Sequence, residues 1–222
     1  MSDFLKNELG DWHELLLPVL NSKEFKEIPK KIAKNHTPQK RNMFKAYNLT
    51  QFKDVKVVIL GQTPYWEKPD LATGLAFGIP DTELRLTPSL RNIEKEVENS
   101  VYNGLRLDFD ITLESWAKQG VLLLNTSLTC ELGKNNNAHK VLWEPFIART
   151  IEALNNYSTG VIYLLWGDYA SSYSEYIYKN SNTILKAPSP SSKDKNNLFL
   201  GCNHFKTVND LLKKINNETI KW

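Results

Sequence analysis

The 222 residues carry 41% hydrophobic content and a formal net charge of +3, enough apolar material for one sizeable core and too little charge to argue for nucleic-acid binding. Two cysteines and four scattered histidines exclude a disulfide framework and supply no metal-ligand spacing. With neither a leader-like opening nor an apolar run of membrane-spanning length, the expectation is one domain over residues 1–222, cytoplasmic, monomeric, free of metal and membrane.

Residues 4–20 carry helical spacing and predict an N-terminal helix. Residues 22–56 then hold ten Lys/Arg against three acids. A solvated helical surface explains that excess, and a DNA-facing flank is the secondary reading. Four short apolar runs follow at wide spacing, at 55–60, 121–124, 161–165 and 183–185. Their apolarity is continuous rather than alternating, which predicts strands buried on both faces of a parallel sheet. Between them lie helical stretches: Thr87-Pro88 starts one leading into Leu90, Ile93 and Val97, and residues 142–154 and 205–215 carry others. Alternation of strand and helix gives an α/β class, a three-layer α/β/α arrangement around a central four-stranded parallel sheet. The asparagines at 135–137 and the stretch 191–197 read as flexible surface loops.

Each strand run ends in turn-forming or polar residues: Gly61-Gln62, Asn125-Thr126, Gly167-Asp168 and Ala187-Pro188-Ser189-Pro190. In a parallel sheet these ends share one edge, so side chains far apart in sequence meet in one crevice. The polar and turn residues at these four ends are therefore the candidates to line a ligand site.

Six blocks carry a family resemblance: Val57–Trp66, Gly74-Leu75-Ala76-Phe77, Thr87–Ile93, Trp116–Asn125, Leu164-Leu165-Trp166-Gly167 and Gly201–Phe205. In that order they resemble the family-one uracil-DNA glycosylases. The resemblance implies that Gln62, Tyr65, Phe77 and Asn125 form a uracil pocket, with Tyr65 against carbon 5 of the base. It implies that Pro88, Ser89, Gly167, Ser189 and Ser191 face the DNA. No cofactor is implied, since that hydrolysis needs only water.

The departures are chemical. The family's water-activating loop runs Gly-Gln-Asp-Pro-Tyr-His, whereas Thr63 stands here for the Asp and Trp66 for the His. Ala187 occupies the place of the catalytic His of a His-Pro-Ser-Pro-Leu segment, and Ser191 that of its duplex-wedging Leu. Asp168 replaces a phosphate-contacting Ser, and a carboxylate beside a phosphate repels it. Glu67 and Asp70 are candidate surrogate carboxylates, Thr63 a candidate water ligand, and Lys186 or Ser189 candidate donors to the departing base. The plainer reading of Glu67 and Asp70 is solvated loop charge. Three readings follow: a divergent uracil or pyrimidine binder with weakened or lost hydrolysis, an active glycosylase with rearranged groups and a modified-base substrate, or a protein-interaction module or decoy. DNA is the partner in the first two and a protein in the third.

Overall fold

The computed structural model describes residues 2–106, 108–134, 138–191, 198–215 and 217–222. Helices α1 (Ser2–Leu9), α2 (Trp12–Leu20) and α3 (Lys23–Lys31) lead to strand β1 (His36–Thr37), helix α4 (Lys45–Leu49) and strand β2 (Val57–Gly61). Helices α5 (Pro88–Val101) and α6 (Glu114–Ala117) precede strands β3 (Val121–Asn125) and β4 (Cys130–Glu131). Helix α7 (Lys140–Tyr157), strand β5 (Ile162–Trp166), helix α8 (Gly167–Ser172), strand β6 (Thr183–Ala187) and helix α9 (His204–Lys214) complete the order.

Four strands pair in parallel in the order β3-β2-β5-β6, the arrangement expected from the apolar runs. Every residue of β2, β3 and β5 is buried, because helices cover the sheet on both faces in three α/β/α layers. β6 closes one edge and is only half-buried, with Lys186 exposed. Helices α2 and α3 pack on α7, and α5 packs on α9. A rosette of Trp116, Phe205 and Trp222, with ring centroids 5.0 to 5.6 Å apart, fills the space beneath α9. Among the described residues no helix is long and apolar enough to cross a membrane.

Besides the half-burial of β6, where burial on both faces was expected, two features depart from the sequence reading. The helix expected over 4–20 is two helices, broken at Gly10, whose φ is +53°. A Cβ at Gly10 would lie 1.9 Å from Gln51 Oε1, and that same oxygen accepts the Asp11 backbone N–H at 2.9 Å. The break therefore comes from a residue forty positions away. The second is a small antiparallel ladder between β1 and β4, a pairing absent from the strand expectations. The loop expected at 135–137, and residues 192–197 of the loop expected at 191–197, lie outside the described residues.

Candidate functional site

The carboxyl ends of the parallel strands open into a cavity of about 580 Å³. Its floor is set by Gly61, the last residue of β2. Gly61 is the register partner of Asn125, and a Cβ there would fall 2.3 Å from Asn125 Oδ1 and 2.9 Å from the Ala76 methyl. Only a glycine leaves the Asn125 amide room to turn into the cavity. Asn125 as a residue is 6% exposed and lines the cavity, where its amide offers one donor group and one acceptor.

Beyond the strands the ladder continues through loop backbone. Thr126 N–H donates to Gly61 O at 3.0 Å, Ser127 N–H to Gln62 O at 3.1 Å, and the Thr126 hydroxyl to Gln62 O at 3.1 Å. The two loops that carry Gln62 and Asn125 thus move as one piece. On the next loop, Thr63 and Tyr65 line the cavity and Pro64 O accepts the Cys130 thiol at 3.3 Å.

Phe77 forms a wall. Its backbone has φ +67°, a conformation that costs a non-glycine residue about 1–3 kcal/mol and persists only where neighbours enforce it. Ala76 N–H donates to Leu123 O at 3.0 Å, and the Tyr65 hydroxyl donates to Phe77 O at 3.1 Å. Behind it, the Trp166 ring lies 5.5 Å away at 52°. Burial pushes the Tyr65 phenol up to about 12, with the Thr87 hydroxyl opposing and Glu67 adding to the shift. It is therefore a neutral donor at any working pH.

The carboxylates separate. Glu67 lines the cavity, and its Oε2 accepts the Trp66 N–H at 3.0 Å. Trp66 is pinned from its other side by Gly133 N–H at 2.7 Å, which presents the indole at the rim. Asp70 does not join them. Its backbone is left-handed at φ +63°, its side chain is exposed, and its carboxylate accepts from the Gln39 amide. The expectation that Asp70 shares the crevice is corrected by this turn away from it.

The opposite rim comes from β5, β6 and the start of α5. Gly167, Asp168, Ser189, Ser191 and the buried Ser89 all line the cavity; Pro88, the first residue of α5, is exposed and does not. Ser189 and Ser191 hydroxyls bond each other at 2.7 Å, and Asn92 Nδ2 donates to Pro190 O at 2.8 Å, tying that turn to α5. Lys186 leaves the site and donates to Ser174 Oγ at 2.8 Å, so it is no donor to a bound base. Ala187 ends β6 and does not line the cavity.

None of the histidines lines the cavity among the described residues. His204 is buried, accepts the Trp166 indole N–H at Nδ1 over 3.0 Å, and is driven down to about 4 by burial, a backbone bond to Lys186 opposing. His139 is buried against Thr129 and Ala33, and burial lowers its pKa too. Both are structural. Among the described residues, no three of His, Cys, Asp and Glu gather where they could share a metal ion.

Sequence reasoning missed Tyr169, which lines the cavity and joins a hydroxyl chain in which Thr126 Oγ1 meets Tyr169 OH at 3.0 Å and Tyr169 OH meets Tyr173 OH at 3.4 Å. The available signal was a threonine directly after a strand-terminal asparagine, with a tyrosine two residues after Gly167. Lys140 Nζ caps the Tyr169 ring from outside at 4.4 Å.

Comparison with known proteins fits this geometry. The model of the uracil DNA glycosylase superfamily matches residues 48–213. The uracil-DNA glycosylase of Vibrio parahaemolyticus is 38% identical over 222 residues, covering 97% of each chain, and that of Aliarcobacter butzleri is 44% identical over 186 residues, covering 83% of this chain and 85% of the other. The chain belongs to the uracil-DNA glycosylase superfamily. The crystal structure of mimivirus uracil-DNA glycosylase superposes with a TM-score of 0.88 at 24% identity, over 98% of this chain and 88% of that one, and so shares the fold. Asn125, Phe77 and Tyr65 line the cavity of this shared fold.

Proposed function

We propose that this glycosylase-like protein binds uracil or a close pyrimidine relative in DNA while hydrolysing its N-glycosidic bond slowly or not at all. The observation that carries the proposal is that Asn125, a 6%-exposed residue at the end of β3, lines the same cavity as Phe77 and Tyr65. The donor and acceptor of the Asn125 amide match the adjacent N3–H and O4 of uracil. Stacking on Phe77 adds about 1–3 kcal/mol.

Cleavage needs more than grip. Positive charge develops on the sugar and negative charge on the leaving base, and groups aimed at those charges lower the barrier. Thr63 lines the cavity with a hydroxyl in place of a carboxylate, and Ala187 brings no proton donor. Loss of one such group slows a reaction about 10²–10³-fold, so two independent losses slow it roughly 10⁴–10⁶-fold. A base-release assay on single-stranded DNA, scanned across uracil and modified pyrimidines, tests the reading. Slow or undetectable release with retained uracil binding is expected, and turnover equal to an ordinary family member refutes it.

A second reading is favoured by Glu67, the carboxylate on the Tyr65 side of the cavity. It would orient water in place of the missing Asp. If Glu67 serves hydrolysis, Glu67→Gln lowers the residual release about 10²-fold or more. Unchanged release removes this reading and leaves the first.

A further inference from the structure

Thr87 has a hydroxyl on which two parts of the site converge. As the residue capping α5, it accepts the Leu90 N–H at 3.3 Å through Oγ1. The same oxygen lies 2.8 Å from the Tyr65 hydroxyl, which donates to Phe77 O at 3.1 Å. Each hydroxyl has one proton to give. That of Tyr65 is committed to a carbonyl, which can only accept, so the Thr87 proton goes to the Tyr65 oxygen. The relay therefore runs one way, from Leu90 N–H through Thr87 and Tyr65 to Phe77 O.

Its ends matter. One end is the first turn of α5, which places Ser89 in the cavity; the other is the left-handed Phe77, the stacking wall. With the Phe77 bond alone, the Tyr65 hydroxyl can swing about that one contact as its loop tilts. With Thr87 as a second partner the hydroxyl is held from two sides. Discrimination between uracil and its 5-methyl homologue depends on that wall staying put, because one methyl group is worth about 1–3 kcal/mol only against a surface that does not yield.

We infer that Thr87 is a positioning residue that couples the start of α5 to the Tyr65–Phe77 wall and thereby sets how sharply the cavity rejects a 5-methyl pyrimidine. The inference rests on the reading of the cavity as a uracil site. It adds a determinant that contacts no base.

The test is equilibrium binding of single-stranded oligonucleotides bearing one uracil or one thymine on a 2′-fluoro sugar that resists cleavage. Wild type, Thr87→Val and Thr87→Ser are compared, with thermal melts alongside. Wild type is expected to prefer uracil. Thr87→Val, of similar shape but without the hydroxyl, should lower the uracil-to-thymine affinity ratio about fivefold or more, the size of one lost hydrogen bond. Thr87→Ser, which retains the hydroxyl, should stay within about twofold of wild type. If Thr87→Val does not fold, Tyr65→Phe cuts the same relay one link later and should lower the ratio comparably.

A ratio unchanged in Thr87→Val, with a lower melting temperature, makes Thr87 a helix cap only and overturns the inference while leaving the uracil reading standing. A Thr87→Ser loss as large as that of Thr87→Val also overturns it. A wild type indifferent to uracil and thymine overturns both.

Discussion

The cavity has two halves built to different standards. The half on β2 and β3 is rigid: fully buried strands, Gly61 against Asn125, backbone bonds from Thr126 and Ser127, and Phe77 locked in a left-handed turn. The half on β6 is an edge strand, half-buried, its Lys186 turned to Ser174 and its serines bonded to each other. The groups proposed for recognition sit on the first half, and so does Thr63 in the loop after β2; of the other substituted positions, Ala187 and Ser191 lie on the edge. The contrast teaches that a base pocket depends on buried register, which a substitution damages through packing. A catalytic group hung on an exposed edge can be lost with the fold untouched.

The strongest way to sharpen that contrast is to restore the lost chemistry. Thr63→Asp together with Ala187→His should raise uracil release about 10²-fold or more over wild type, since on the proposed reading the base is already held. A single-turnover assay reads the change; no gain would mean that the retained half does not hold the base in a reactive pose.

A second prediction concerns His204, which bridges the halves by accepting from Trp166 of β5 and bonding the backbone of Lys186 in β6. Its folded pKa of about 4 lies below the ordinary value of 6.5, so the folded state favours the neutral ring. The associated stability is complete above about pH 6.5 and is lost as pH falls from there toward 4, at roughly 3 kcal/mol over the window. Denaturant melts should show this drop in wild type and a flatter profile in His204→Gln. Equal profiles would place the acid sensitivity elsewhere.

How much was legible follows the same division. The strands read clearly because continuous Val, Ile and Leu runs bounded by Gly or Asn have one economical burial, inside a parallel sheet. Asn125 was visible at a strand end that topology brings to the crevice, whereas Phe77 and Tyr65, in the long loop after β2, were legible only through the family resemblance. The break at Gly10 was not, since it depends on Gln51, and helical periodicity carries no information about a partner forty residues on. Nor could sequence separate Glu67 from Asp70. Three residues apart in one loop, they part company through a left-handed backbone at Asp70 and a bond to Gln39. The Thr87–Tyr65 contact joins loops whose approach only the fold defines.

Smaller effects probe each half. Gly61→Ala should cost the rigid half roughly 1–3 kcal/mol of uracil affinity, the value of displacing a buried polar contact. Binding of the uncleavable uracil oligonucleotide reads it; unchanged affinity would mean that Asn125 does not contact the base. Asp168→Ser should tighten DNA binding by no more than about fivefold and chiefly at low salt, because an exposed charge is worth at most about 1 kcal/mol. A salt titration checks this, and equal curves would show that no phosphate passes Asp168.

The central claim, grip without cleavage, is tested most directly by measuring both quantities on one single-stranded uracil oligonucleotide: its dissociation constant against the thymine equivalent, and its single-turnover release rate against a family member bearing the Asp and the His. The account predicts a clear preference for uracil with release slower by roughly 10⁴-fold or more. Release at parity, or the absence of any preference, would contradict it.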